Sequence, residues 1–298
     1  MYNTPDNLIS RGDHLFFRKL RTESFHGIIH SVFKKAFNIK EVSTGKLFTF
    51  CVEQGWIGPD TLNVPVSDTA NLGLDVSDVL DWDGIYFSSS GKTLFSLDSK
   101  SSGNELFIPP YPANQDCIFA KKEIMTRFLE SSAHSIFAAE NSQNQDPFSL
   151  ELHRMLTHST TEFSQALLHD VSQAVLHGKR CLGLGVGLTP SGDDFLVGFF
   201  SVLHMEKSPA FHKNTICTQI VQDAPAKTTD ISAAILANAA SGRVLTLISD
   251  LLQLLDADQN EFLNALQKLI SLGSSSGSDI SWGILSALEL NLKLGHNN

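Results

Sequence analysis

The residues best equipped for chemistry lie in one stretch, Gly183 to Asp194, reading GLGVGLTPSGDD. Gly183, Gly185 and Gly187 alternate ahead of Thr189-Pro190, and an apolar helix is expected to begin around Asp193. Three alternating glycines let backbone N–H groups approach a ligand closely, and a helix N-terminus behind them carries partial positive charge. Such a loop suits a phosphate or a carboxylate. The standard phosphate motifs do not fit. Counting from Gly183, the sixth position of G-x-G-x-x-G is Leu188, and although Gly187 and Gly192 have Walker A spacing, Asp193-Asp194 stand where Lys-Ser/Thr belongs. A carboxylate there repels a bare phosphate, but it could accept from an amide, hold a metal or act as a base. The candidate catalytic residue is Asp193. The ligand-binding set is Gly183, Gly185, Gly187, Thr189, Ser191, Gly192 and Asp194, with Arg180 and Arg243 as possible bidentate clamps for a carboxylate.

A partial echo follows downstream. Ser191-Gly192-Asp193-Asp194 with Gly198 resembles Ser276-Gly277-Ser278-Asp279 with Gly283. In both, Ser followed three residues later by Asp fits a capping box, so Ser191, Asp194, Ser276 and Asp279 are expected mainly to cap helices. Asp193 has no acidic counterpart at Ser278, and capping does not require it. Replacing Asp193 by Asn is therefore expected to leave the fold intact and to lower turnover. Thr228-Thr229-Asp230 reads as another cap or as a hydroxyl wall of the pocket. His26 and His30 form H-x-x-x-H without the glutamate of a zinc helix, in a segment that reads as a strand, so no metal site is expected. No cofactor motif is found, and no G-x-S-x-G elbow supports a hydrolase triad. Asp193 and Asp194 as Mg²⁺ ligands of a hydrolase is a third reading, thin because hard cations need more oxygens.

The elements that position this loop follow from periodicity. Residues about 25 to 110 read as short strands: Phe48, Phe50 and Val52 alternate, as do Leu62, Val64 and Val66. Ile85 to Phe87, Leu94 to Leu97 and Leu106 to Ile108 are further runs between turn clusters. After Pro112 the period becomes helical. Met125, Phe128, Leu129, Ser132 and Ile136 share one stripe, and Phe163, Leu167, Val171 and Val175 another. Asp258 to Glu261 marks a helix start, and Ser232–Ser241, Val244–Leu255 and Ile280–Leu294 are also helical. Asn141–Pro147 and Gln222–Thr229 read as loops. The expected fold class is α+β: a β-rich barrel or sandwich over residues 1–114, then a mainly α-helical domain over 115–298.

Bulk properties narrow the partners. Against 32 acidic residues stand 22 Lys and Arg, a net charge of −10 that argues against a nucleic-acid footprint or an anionic membrane surface. No apolar run approaches a bilayer span, and the first residues lack a signal-peptide core. Cys51, Cys117, Cys181 and Cys217 are scattered, so buried thiols in a reducing compartment are expected, with the cytoplasm as location.

GLGVGLTPSGDDFLVG resembles the signature of a domain-of-unknown-function family that includes the AllH-type subunit of bacterial oxamate carbamoyltransferase. The match runs from Gly183 to Asp194, with Val186 where the family often has proline. Ser276 to Asp279 with Gly283, and the pattern from Gly27 to Asn38, also look familial. The resemblance implies a subunit of a carbamoyltransferase acting on a small amide acid, interconverting oxalurate and phosphate with oxamate and carbamoyl phosphate in allantoin or purine catabolism. It implies partner subunits, among them one resembling the alpha subunit of succinyl-CoA synthetase, and small anionic substrates, carbamoyl phosphate and an oxamate-like acid. It supplies no catalytic residues, and the Ser-Thr-Arg-Thr motif of other carbamoyltransferases is absent. The alternative is a non-catalytic anion-binding or scaffold subunit.

Overall fold

The computed structural model describes residues 7–131, 137 and 146–295. The chain divides into two compact units, Met1–Leu106 and Phe107–Asn298.

The first unit is one sheet built from β1 (Leu8–Ile9), β2 (Arg11–Gly12), β3 (Phe25–Val32), β4 (Ala36–Glu41), β5 (Leu47–Val52), β6 (Thr61–Val64), β7 (Val79–Trp82), β8 (Tyr86–Ser89) and β9 (Lys92–Leu97). Their order is β1-β9-β8-β7-β3-β4-β5-β6-β2. The two edge strands are neighbours in the chain: β1 pairs with β9 and β2 with β6. The sheet therefore curls into a nearly closed barrel, which leaves little unpaired edge. Alternation sets its inside. Phe37 sits opposite Phe50 and Ile39 opposite Phe48, all four buried. Helix α1 (His14–Thr22), capped by Asp13 accepting from the Leu15 N–H at 3.1 Å, adds Phe16, Phe17 and Leu20 to this core. The Phe16 ring lies 4.4 Å from Phe48 and 5.8 Å from both Phe25 and Phe50. Leu106 to Ile108, expected as a strand, forms none, and His26 pairs with Asp81 across the sheet at 2.6 Å.

The second unit is helical: α2 (Gln115–Glu130), α3 (Pro147–His169), α4 (Val171–Cys181), α5 (Ser191–Leu203), α6 (Thr215–Val221), α7 (Ala224–Lys227), α8 (Asp230–Ala240), α9 (Thr246–Gln253), α10 (Gln259–Ile270) and α11 (Ser276–Gly295). Asp258 caps α10 through the Asn260 N–H, as its position suggested. Gln222–Thr229 is not wholly loop, since α7 lies within it. The stripe expected to run from Phe163 to Val175 is broken at Asp170, which ends α3 and caps α4 by accepting from Ser172 and Gln173 N–H at 2.9 and 3.1 Å. Phe163 and Leu167 are buried in α3, while Val171 is exposed at the start of α4. Ser132, Ile136 and the segment 141–145 lie outside the described residues. Among the described residues, no helix is long and apolar enough to cross a membrane.

Helix α5 is buried along its whole length, and a helix apolar all round belongs at the centre of a domain. It packs on α11, also largely buried. The two backbones touch where side chains are missing. A Cβ on Gly198 would fall on the carbonyl of Ile280, and one on Gly283 on the carbonyl of Phe195. The contact is reciprocal, and the reciprocity extends into the preceding loops. The Leu184 N–H donates to Cys181 and the Gly192 N–H to Leu184, at 3.1 and 2.8 Å. In the second copy Leu272 donates to Leu269 and Gly277 to Leu272, each at 3.0 Å. Gly192 abuts the Cys181 carbonyl as Gly277 abuts that of Leu269. The echo between the two motifs is thus a pseudo-two-fold repeat: α4–loop–α5 and α10–loop–α11 are one unit used twice, the second with a shorter loop.

Candidate functional site

The loop between α4 and α5 meets the start of α11, so that two helix N-termini converge. Thr189 Oγ1 and Ser276 Oγ share a hydrogen bond of 2.9 Å across this junction. Pro190, not Ser191, occupies the N-cap of α5, and no side chain caps the helix. The capping box expected of Ser191 and Asp194 does not form. Pro190 supplies a fixed φ that starts the helix itself, and Ser191 becomes its first residue.

The two adjacent acids of the motif point to different neighbours, because consecutive helical residues diverge by about 100°. Asp193 is 1 % exposed and fully engaged. Its Oδ1 accepts from the Gly183 N–H at 2.8 Å, and its Oδ2 accepts from Ser232 Oγ at 2.7 Å and from Thr228 Oγ1. It ties the loop to the start of α8, whose own cap is Thr229, accepting from the Ser232 N–H at 3.1 Å. Burial raises the Asp193 pKa, and the bonds from Thr228, Gly183 and Ser232 oppose that rise. Burial also pushes the nearby Cys181 thiol up to about 12, reinforced by the charge of Asp193, so this cysteine is inert. Cys51 and Cys217 are buried too, whereas Cys117 is half-buried.

Asp194 occupies the junction itself. Its carboxyl hydrogen-bonds within the Ser276–Thr189 hydroxyl pair, while its Oδ2 is buried with no partner among the described residues. Burial, with the charges of Asp279 and Asp193 adding to it, raises its pKa to about 8. The carboxyl therefore carries its proton at neutral pH. Sequence patterning assigns structural duty to Asp194 and chemistry to Asp193; in the structure Asp193 is the acid saturated with donors, and Asp194 is the one with an oxygen left without a partner among the described residues.

The motif glycines divide similarly. Gly183, at φ 71°, is pressed against the Lys227 carbonyl, and Gly185, at φ 138°, against the Ser191 N–H, so neither tolerates a side chain. Gly187, at φ 95°, faces open space. From Gly185 to Thr189 the backbone N–H groups donate to no acceptor among the described residues. The loop is held at its tip by Thr229 Oγ1 donating to the Leu188 carbonyl at 2.6 Å. Val186 and Leu188 are exposed on either side of Gly187. Arg180, in the last turn of α4 at the loop entrance, is exposed, with Nη1 3.3 Å from His177 Nδ1. Arg243 lies elsewhere. It follows the far end of α8, a helix of 11 residues whose opposite end touches the loop, and a helix of that length spans about 16 Å. There Arg243 Nη1 donates to Asn238 Oδ1 at 3.2 Å.

These bonds yield a direct correction to the expectation for Asp193→Asn. An amide would turn an NH₂ toward groups that already donate, leaving buried donors unpaired. A loss of about 2–3 kcal/mol in unfolding free energy is expected, read by denaturant titration. A variant as stable as wild type would show that these bonds are not made.

Signals for the hydroxyls around the acids were absent from local sequence: Thr228, Ser232 and Ser276 arrive from distant segments. Thr228-Thr229 and Ser276 stand out in the sequence, as caps or a hydroxyl wall; in the structure Thr229 caps α8 and Thr228 donates to Asp193.

No solved structure matches the chain. The family described as "AllH: Oxamate carbamoyltransferase subunit AllH" matches residues 181–288, a span that holds the loop, α5 and the crossing with α11. The family described as "AllH family N-terminal domain" matches residues 8–101, the barrel. The two matches together cover most of the chain, and the protein belongs to the AllH family of oxamate carbamoyltransferase subunits.

Proposed function

We propose that the chain serves a multi-subunit carbamoyltransferase by holding the anionic part of its substrates on residues Gly185 to Thr189. The substrate class is a small amide acid of the oxamate or oxalurate type, with carbamoyl phosphate as donor, in purine or allantoin degradation. The observation that carries this reading is the run of N–H groups from Gly185 to Thr189 without internal acceptors, placed before the buried α5. Such donors suit a carboxylate, a phosphate or the oxyanion of a tetrahedral intermediate. Arg180 is the cation best placed to add a charge-assisted bond to the acceptor carboxylate; Arg243, beyond the far end of α8, is withdrawn from that role.

The apolar Val186 and Leu188, exposed at the loop tip, favour a partner subunit closing over the loop. The companions include one resembling the alpha subunit of succinyl-CoA synthetase. A reading in which this chain binds the anion and the partner supplies the remaining groups shares the same observation. Purified alone, the chain is expected to transfer carbamoyl groups weakly or not at all, with activity appearing when the companions are added. Full turnover of carbamoyl phosphate and oxamate by the single chain would contradict this. A complex that keeps its rate without the chain would make it an accessory. In the active complex, Arg180→Ala should raise the KM for the acid about tenfold with kcat little changed, the loss of one charge-assisted bond. An unaltered KM would remove Arg180 from the site.

A further inference from the structure

We propose that Asp194, Ser276 and Thr189 form a proton relay that serves the substrate-binding loop, with Asp194 as the solvent-excluded end that holds the proton. This inference rests on the carbamoyltransferase reading above.

Three observations carry it. The chain is continuous: the Asp194 carboxyl is in hydrogen-bond reach of both hydroxyls, and these lie 2.9 Å apart, so that Thr189 can donate to Ser276 and Ser276 to Asp194. It is graded in exposure. Asp194 is 3 % exposed, while Ser276 and Thr189 are half-buried, so the chain leads from the interior to the edge of the loop. And it is incomplete, because Asp194 Oδ2 is buried without a partner among the described residues. A purely structural carboxyl is saturated with donors, as Asp193 is. The charged groups acting on Asp194 are Asp279 on α11 and Asp193 on α5, both negative. They disfavour a second carboxylate and keep the affinity of Asp194 for a proton high, in the range where a general base or acid works best.

The step balances without another reactant. The amide nitrogen of the acceptor attacks the carbonyl carbon of carbamoyl phosphate, the new N–C bond forms, and the C–O bond to phosphate breaks with inorganic phosphate leaving. The proton lost by that nitrogen goes to Thr189 Oγ1 as the Thr189 proton passes to Ser276 Oγ and the Ser276 proton to ionised Asp194. In the reverse direction Asp194 returns it. Asp194 acts through the hydroxyls and is a positioning and proton-holding residue.

Asn mimics the protonated carboxyl in shape and charge, so Asp194→Asn is expected to fold. The test uses the complex with its companion subunits, comparing wild type, Asp194→Asn, Ser276→Ala and Thr189→Val in kcat and KM from pH 5 to 9. Wild-type kcat should rise with pH toward a plateau, with its inflection in the range where Asp194 ionises. Asp194→Asn should lose on the order of 10²–10⁴-fold in kcat with KM nearly unchanged, and its pH inflection should vanish. The two hydroxyl variants should lose less, and Thr189→Ser should restore what Thr189→Val removes. In parallel, ¹³C NMR of aspartate-labelled chain follows the Asp194 carboxyl directly. Titration in the ordinary carboxylate range overturns the relay whatever the complex does. A complex that transfers carbamoyl groups equally well with Asp194→Asn overturns the relay alone. A wild-type complex that transfers none overturns the reading on which the relay rests.

Discussion

Gly198→Ala and Gly283→Ala are each expected to destabilise the helical unit by about 3 kcal/mol or more, despite the better helix propensity of alanine. The propensity gain is about 1 kcal/mol. Against it stands a methyl group placed on a carbonyl of the opposing helix, Ile280 for Gly198 and Phe195 for Gly283. Both obstacles are backbone atoms inside buried helices, which cannot swing aside as a side-chain end does. The helices must separate, and every contact between α5 and α11 loosens with them. Gly178→Ala makes a useful contrast, since its nearest obstacle is the Cδ1 end of the Ile220 side chain, so its cost should be smaller. Because the two crossing glycines report one contact from opposite sides, the double variant should cost clearly less than the sum of the singles. Denaturant unfolding of the three variants decides it. Additive losses would mean two independent sites, and a stabilised Gly198→Ala would mean that the helices do not touch there.

The barrel was legible because its signal is local. Phe48, Phe50 and Val52 alternate along β5, and alternation records one buried face directly. Closure was not legible, since it depends on β1 reaching β9 and β2 reaching β6, pairings between segments far apart in the chain. The helical half shows the same division. Asp258 announced α10, but Asp170 was invisible as a break because the i, i+4 spacing of Phe163, Leu167, Val171 and Val175 carries on across it. Position in a periodic pattern does not distinguish one long helix from two joined by a single capping residue.

The sequence signal of the loop is only partly related to its geometry. Glycine in such a motif suggests access for a ligand, yet Gly183, Gly185 and Gly192 are needed because other backbone lies against them, and Gly187 alone of these is open. The hydrogen bonding of the two acids depends on long-range contacts. Which aspartate is saturated depends on Thr228, Ser232 and Ser276, and no window around Asp193 contains them. The repeated Ser-Gly-x-Asp-x-x-x-Gly pattern did carry lasting information, because the same spacing places a small residue at the same crossing in both copies. Its second serine also became part of the site, donating to Asp194 across the pseudo-axis.

The stability of the wild-type chain is expected to fall between about pH 4 and pH 8 relative to Asp194→Asn, by about 1.4 kcal/mol for each pH unit. Burial is the main cause, followed in the same direction by the charges of Asp279 and Asp193. The folded-state pKa of Asp194, about 8, stands above its unfolded value of 3.8, so over this interval the folded chain keeps a proton that the unfolded chain has released. The stability this group contributes is whole below pH 3.8 and is lost as the pH climbs through 8, after which both states are ionised and the loss stops. Asn cannot ionise, and it retains an oxygen to accept from the Ser276–Thr189 hydroxyl pair. The two stability curves should therefore run together in acid, part near pH 4, and become parallel again above pH 8. The neighbouring Asp193→Asn offers the internal control: there the same change of side chain leaves one accepting oxygen for three donors, so that variant should be weaker than wild type at neutral pH. Unfolding free energies measured at unit pH steps for the three proteins separate the cases. A constant gap between wild type and Asp194→Asn from pH 4 to pH 8 would show that Asp194 ionises normally, and would take from the junction of α5 and α11 the proton on which its chemistry depends.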